Sequence, residues 1–509
     1  MEELKSLTRR DFLKLAALTG LPAFARPLAR LVDLRQAKTP NIIILVFDAW
    51  AAGHVPLYGY ARNTMPNLER FADKALVYHN HISAGTFTAT GAASLLSGLY
   101  PWEHRAFHIR SGIRSSLAPE NIFTSLKDTH HTLAYSQNKY ADKFLFQFSD
   151  AIDEHLRAGA FNLQHQSIYD LPPFRKDGLI SFTAFEENIF YKVGDYDASL
   201  FLGPLLRTAT LYKRKLLDTN YEGEYPKGLP DSTELFTLED LVSGTIDTLQ
   251  NMPEPALVYM HFYPPHWPYL PAREFQRVFR EDGLQPVEKP PHPLVSASYD
   301  QWTLNDFREK YDAFLASWDD ALGTLFAYLA DSGVLQDSYV FLTSDHGEMF
   351  ERGISGHTTP LIYDPLVHIP LLVSTPGQRN RQDIHANTSS LDILPTIAHL
   401  CGCPPPRWAG GELLPGLGGV EHPDRSVFTL DAKENSAFQP LSTYSMSITK
   451  GRHRLTRYRY PQYQGTEFYD LESDPGEMVD QFPARPAVAL KMEQEILDTL
   501  QRANEGFAR

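Results

Sequence analysis

The stretch "NIIILVFDAW", residues 41–50, limits the possible folds more than any other part of the chain. Seven residues run without a charge, five of them β-branched or aromatic, and the run stops at Asp48. An unbroken apolar run of this length reads as a strand covered on both faces, which is the habit of parallel sheets. Its carboxyl end carries Asp48, and open α/β sheets present their ligands at that end. Two more runs behave alike. "ALVYMHFYPPHWPYL" (256–270) leads to His266, and "SYVFLTSDHGEMF" (338–350) leads to Asp345 and His346.

Helical patterns lie between these runs. "TMPNLERFADKALVYHN" (64–80) reads as a helix, with Pro66 near its start and Leu68, Phe71, Ala72 and Ala75 at helical spacing. Further helices are expected over 237–252, 303–331 and 389–402, with a weaker strand at 131–138 and another within 368–377. Strands alternating with helices give an α/β fold with a mostly parallel central sheet flanked by helices. "CPPPRWAGGELLPGLGG" (403–419) is dense in Pro and Gly and marks a boundary. Beyond it, short strand-like segments and a helix near 485–506 predict a small C-terminal α+β subdomain. The expected organisation is a catalytic domain over 40–403, with an aromatic, charged insertion at 150–235, and a C-terminal subdomain over 404–509.

The N-terminus reads as an export signal. "LTRRDFLKLAALTGLPAFA" pairs Arg9 with Arg10, follows them with a short apolar stretch, and ends in Ala23-Phe24-Ala25. This is the twin-arginine pattern with an A-x-A cleavage site, so residues 1–25 are expected to be a signal peptide and 26–39 a linker. The partner implied is the twin-arginine translocase, and the destination the periplasm, cell envelope or exterior of a bacterium. No stretch is long enough for a permanent membrane span. A net charge of −15 argues against a nucleic-acid partner. Two cysteines, Cys401 and Cys403, are too few for a disulfide framework.

Chemistry is expected at the strand ends. Asp48, Asp345 and His346 combine hard oxygen and borderline nitrogen donors suited to a divalent cation. Gly347 is expected to let the chain turn sharply there. "SAGTFTATGAASLLSGLYP" (83–101) places Thr86, Thr88 and Thr90 at the entrance of a short apolar helix. A hydroxyl there is either a cap or a group facing free N–H donors, where anions bind.

These segments resemble, in order, the sulfatase family of the alkaline phosphatase superfamily, from about residue 40 to 480. "NIIILVFDAW" is similar to the family's first metal-binding strand, and "TMPNLERFADKALVYHNHISAG" to the helix after it. "ASLLSGLYPWEHR", "PPHWPY", "SDHGEMF", "GHTTPLIYDPLVHIPLLVSTPG", "SSLDILPTIAHLCG" and "EFYDLESDPGE" follow in family order. Counting back from Gly98, the resemblance places Thr88 at the nucleophile. The family's usual cysteine, converted to formylglycine within C-x-P-S-R, is replaced by Thr88-Ala89-Thr90-Gly91-Ala92. The paired Asp of the first strand becomes Asp48-Ala49. Thr359 stands near the place of a lysine, with His357 close by.

What the resemblance implies is a metal-dependent hydrolase of sulfate or phosphate esters. Asp48, Asp345, His346 and Thr88 would hold one divalent ion (Ca, Mn, Mg or Zn). Thr88 would attack, and His266 and His357 would hold nonbridging oxygens or protonate the leaving group. Threonine in place of formylglycine tilts the expectation toward phosphoesters, free or on a glycan or lipid. Two other readings stay open: a phosphotransferase like lipoteichoic acid synthase or the phosphoethanolamine transferases, and a non-catalytic anion binder.

Overall fold

The computed structural model describes residues 39–163, 202–230, 235–295 and 298–507. The expected signal peptide, the linker up to residue 38, and residues 164–201 and 231–234 of the expected insertion lie outside them. Residues 40–509 form one compact unit.

Strand β1 (Asn41–Phe47) is buried along its whole length. Ile43, Leu45 and Phe47 enter one core and Ile42, Ile44 and Val46 the other. Successive side chains of a strand point to opposite faces, so a run without polar gaps requires cover on both sides. On one side the cover comes from the helices Pro66–Ala72, Leu238–Asn251 and Gln301–Asp331. On the other it comes from Thr88–Ser97, Lys139–Gln147 and Ile393–Leu400.

Seven further strands complete the sheet: β2 (Leu76–Ile82), β3 (His131–Ser136), β4 (Glu154–His155), β5 (Ala256–Phe262), β6 (Ser338–Thr343), β9 (Leu371–Ser374) and β10 (Gln382–Ser389). A two-stranded ribbon, β7 (Met349–Glu351) and β8 (Ile354–Gly356), stands apart. The sheet order is β10-β2-β9-β6-β1-β5-β3-β4. Among the described strands of this sheet, only β9 runs against its neighbours, β2 and β6. The central four, β6-β1-β5-β3, are parallel and nearly in step: Val46 pairs with both His261 and Thr343, and His261 with Ser136. Their carboxyl ends therefore open on one edge.

The expected helix over 64–80 is two elements. It ends at Ala72, and β2 starts at Leu76. Ala75 keeps helical spacing, but Leu76-Val77-Tyr78 has the β-branched and aromatic character that a half-covered strand favours.

The C-terminal part is an antiparallel sheet of β11 (Ser426–Asp431), β12 (Tyr444–Lys450), β13 (His453–Tyr460) and β14 (Tyr463–Asp470). The helix Ala487–Glu505 packs on it through Ala489, Met492, Ile496 and Leu500. Within β13, Arg454 lies between Glu477 (3.1 Å) and Asp364 (3.0 Å).

Candidate active site

Asp48 follows β1 directly, Asp345 and His346 stand just past β6, and His261 is the penultimate residue of β5. All four are fully buried. His261 Nε2 is 3.6 Å from Asp48 Oδ2 and 3.7 Å from Asp345 Oδ2. His346 Nε2 is 3.4 Å from Asp48 Oδ1 and 3.5 Å from Asp345 Oδ2. Each imidazole is held from behind. His346 Nδ1 lies 2.8 Å from the Gly347 carbonyl, and His261 Nδ1 lies 3.1 Å from the Tyr259 hydroxyl. These contacts aim both Nε2 atoms inward.

Among the described residues, the atoms facing this point have no hydrogen-bond partner of their own: Asp48 Oδ1, Asp345 Oδ2 and His261 Nε2. Leaving such groups unpaired is costly in a protein interior. One ligand atom each from Asp48, His261 and Asp345 lies within 4.8 Å of the others. Hard carboxylate oxygens and imidazole nitrogens converging in this way fit a divalent cation. Electrostatics agree. Burial would raise Asp48, but His266, His261 and His346 outweigh it and hold the carboxyl well below the usual range. Asp345 is raised, by burial and then by Asp48. Burial opposes charge on His346 too, yet Asp345 and Asp48 lift it to about 9.

Thr88 enters from above, as the first residue of the Thr88–Ser97 helix. Its Oγ1 is 3.3 Å from His346 Nε2 and 3.4 Å from Asn138 Nδ2. The three threonines have separate duties. Thr86 donates to Asp431 (2.9 Å) and Thr90 to the Phe87 carbonyl (3.2 Å), so Thr88 alone of them meets the carboxylate and imidazole cluster. No side chain caps this helix. Its first N–H groups and the positive end of its dipole thus lie beside the Thr88 hydroxyl. The helix comes close because residue 91 is glycine: a Cβ there would stand 2.2 Å from the Asp345 carbonyl oxygen.

His266 and His357 form the wall. Their ring centres are 5.0 Å apart, and His357 is 4.3 Å from the His346 ring. Glu348, fully buried, meets His357 Nδ1 at 3.1 Å, which leaves Nε2 on the opposite side of the ring. Burial drives His357 down to about 4 against the upward pull of Glu348. His266 is half-buried, with Nδ1 2.6 Å from the Trp267 carbonyl.

Four residues beyond the expected set stand in or beside the site: His261, Asn138, Glu348 and Lys433. Lys433 bridges Asp431 (2.7 Å) and the Thr359 carbonyl (2.9 Å), over the Phe87 ring. His261 had one signal in the sequence, a polar residue inside an otherwise apolar strand. Gly347 has a different duty from the one expected. Its φ is not in the left-handed range; instead a Cβ would stand 2.1 Å from the Pro365 carbonyl oxygen. The second family Asp is absent, and Ala49 holds its place with φ at 59°. Among the described residues, no helix is long and apolar enough to cross a membrane.

Comparison with known proteins follows the same lines. The family model described as Sulfatase matches residues 40–403, and one described as N-sulphoglucosamine sulphohydrolase, C-terminal, matches 357–503. Multifunctional alkaline phosphatase superfamily protein PehA of Trinickia caryophylli is 25% identical over 495 residues, covering 86% of this chain and 90% of its own. Choline-sulfatase of Rhizobium meliloti (strain 1021) is 23% identical over 473 residues, covering 87% and 82%. Phosphonate monoester hydrolase SpPMH from Silicibacter pomeroyi superposes with a TM-score of 0.64 at 17% identity, covering 91% of this chain and 96% of that one. That structural likeness is one of fold.

Proposed function

The chain belongs to the sulfatase family, and from that premise we propose that it is an exported, metal-dependent hydrolase of sulfate or phosphate esters, with Thr88 as nucleophile and phosphoesters preferred. The observation that carries this reading is the Thr88 hydroxyl, 3.3 Å from His346 Nε2 at an uncapped helix N-terminus. A plain capping threonine has no reason to sit on a buried cluster of two carboxylates and two imidazoles.

Asp48, Asp345, His346 and Thr88 would hold one divalent ion, with His261 as a further donor. When bound, the ion supplies positive charge to the attacking and nonbridging oxygens. The protein's own groups do the rest. The helix N–H groups hold the anionic ester in line with Thr88 Oγ1. The Oγ–H bond breaks and its proton passes to solvent, an Oγ–P bond forms, and the bond from phosphorus to the leaving oxygen breaks; Oγ1 takes a proton back from solvent when the ester is hydrolysed. His266 and His357 would serve the leaving-group side. Between them they give a proton to the departing alkoxide and take one from the water that cleaves the Thr88 ester, so the proton count closes over the cycle.

The names of the relatives join phosphonate and sulfate chemistry, which supports ester hydrolysis without choosing the acid. Threonine favours phosphorus. A formylglycine hydrate has a second hydroxyl to expel sulfate, and threonine has none. The test is a panel of aryl sulfates, phosphate monoesters and diesters, with mass spectrometry of the quenched enzyme. Expected are phosphoester turnover and a phosphoryl adduct on Thr88, both lost in Thr88→Ala. An adduct on Thr86 or Thr90, or turnover of sulfates alone, overturns the reading.

A further inference from the structure

Asn138 stands two residues past the end of β3 and is the N-cap of the helix Lys139–Gln147. Its side-chain Oδ1 accepts from the Tyr140 N–H at 2.8 Å. That bond decides which way the amide faces, because only the oxygen can accept. Nδ2 is thereby turned into the site, where it donates to Asp48 Oδ2 and lies 3.4 Å from Thr88 Oγ1. The residue is 3% exposed, and its backbone carbonyl accepts from Ala141, Asp142 and the Ser136 hydroxyl. Few rotamers remain open to it.

Capping explains only one end of this side chain. Serine, threonine or aspartate would cap equally well, and none of them presents an N–H donor to the site. The donor end needs its own reason, and its two partners supply one. We propose that Asn138 is a catalytic residue that ties the Thr88 oxygen to Asp48 and donates to that oxygen throughout the reaction. The proposal rests on the reading of Thr88 as nucleophile. An amide N–H neither gains nor loses a proton in the cycle. It donates to Oγ1 while the O–H bond breaks and charge gathers there, and again when the ester is hydrolysed and the hydroxyl returns. The helix cap fixes this donor before substrate arrives, so no reorganisation is needed at the moment of attack.

The decisive variant is Asn138→Ser, which keeps a capping oxygen and removes the amide N–H that reaches Asp48 and Thr88. Asn138→Thr is made alongside in case the serine protein folds poorly, and Thr88→Ala reports on the underlying reading. Expected for Asn138→Ser is a melting temperature within about 2 °C of the parent. Metal content should match the parent. The fall in kcat should be roughly 10- to 100-fold, with a smaller change in KM, and single-turnover formation of the Thr88 ester should slow by the same factor. Parental kcat in a folded Asn138→Ser protein overturns the proposal and leaves Asn138 as a cap. So does a loss of rate that merely tracks a loss of metal or of melting temperature. Parental activity in Thr88→Ala would sink the nucleophile reading itself. An inactive Thr88→Ala beside a fully active Asn138→Ser would sink only the role of Asn138.

Discussion

The carbonyl oxygen of Asp345 lies where a side chain on residue 91 would have to begin: a Cβ built on Gly91 comes within 2.2 Å of it. The Thr88 helix and the β6 strand end touch backbone to backbone at this point.

Gly91→Ala should therefore push the Thr88 helix away from Asp345. Neither neighbour can yield easily, because Asp345 O also accepts from the Ser83 hydroxyl at 2.5 Å. Overpacking of this kind costs about 1–3 kcal/mol. Displacement of Thr88 by about 1 Å should cost up to ~100-fold in kcat. Thermal unfolding and steady-state kinetics on one preparation check both; a stable, fully active Gly91→Ala protein would refute the close contact.

His261 is expected to hold the ion. Replacing it with alanine should weaken metal binding at least ~10-fold, the scale reached even by partners of ligands. His130 gives a control. It is buried too, but its Nε2 faces Cys401 and the Pro40 carbonyl, so His130→Ala should bind metal normally. Metal titration of both variants decides; equal affinities would remove His261 from the set.

His104 predicts acid sensitivity. Its Nδ1 accepts from the Ala106 N–H, and its Nε2 lies 3.0 Å from Ser94 Oγ. Burial pushes it down to about 3. The folded value is lower than that of an unfolded histidine, about 6.5. Its contribution is thus complete above that pH and is lost as pH falls from there toward 3, at up to ~1.4 kcal/mol per pH unit. His104→Gln should flatten the fall of unfolding free energy between pH 6.5 and 4. Parallel curves for the two proteins would contradict this.

Arg454 carries a stability prediction. It is buried between the Glu477 and Asp364 carboxylates, and Asp364 N donates to Glu477 at 2.8 Å. Removing one partner of a buried ionic group typically costs about 3–5 kcal/mol, because the remaining charges stay desolvated. Arg454→Met should lose that much in urea unfolding. A loss below about 1 kcal/mol would mean that the cluster is wetter than its burial suggests.

Legibility followed position on the strand. Asp48, Asp345 and His346 could be read because each ends an apolar run, where a polar residue has no place in the core. His261 sits one residue inside such a run, between Met260 and Phe262, and its only signal is that one polar interruption, which a satisfied core histidine gives equally well. Asn138 contributes through one amide hydrogen of a helix cap, and capping residues are too common to single out. Strand β2 was masked by Ala72 and Ala75, which extend the helical spacing across the turn. The reversed direction of β9 leaves no trace in composition, because a buried strand looks alike in either direction.

The join between the two sheets has a practical corollary. Strand β11 delivers Asp431 to Thr86, Lys433 to the carbonyl at 359, and the Leu430 N–H to Ala84. The approach to Thr88 is thus moored to the last hundred residues of the chain. Anyone building a chimera from residues 40–403 and a foreign tail would need to import that carboxylate and that ammonium with it, or accept a Thr88 whose footing has been loosened.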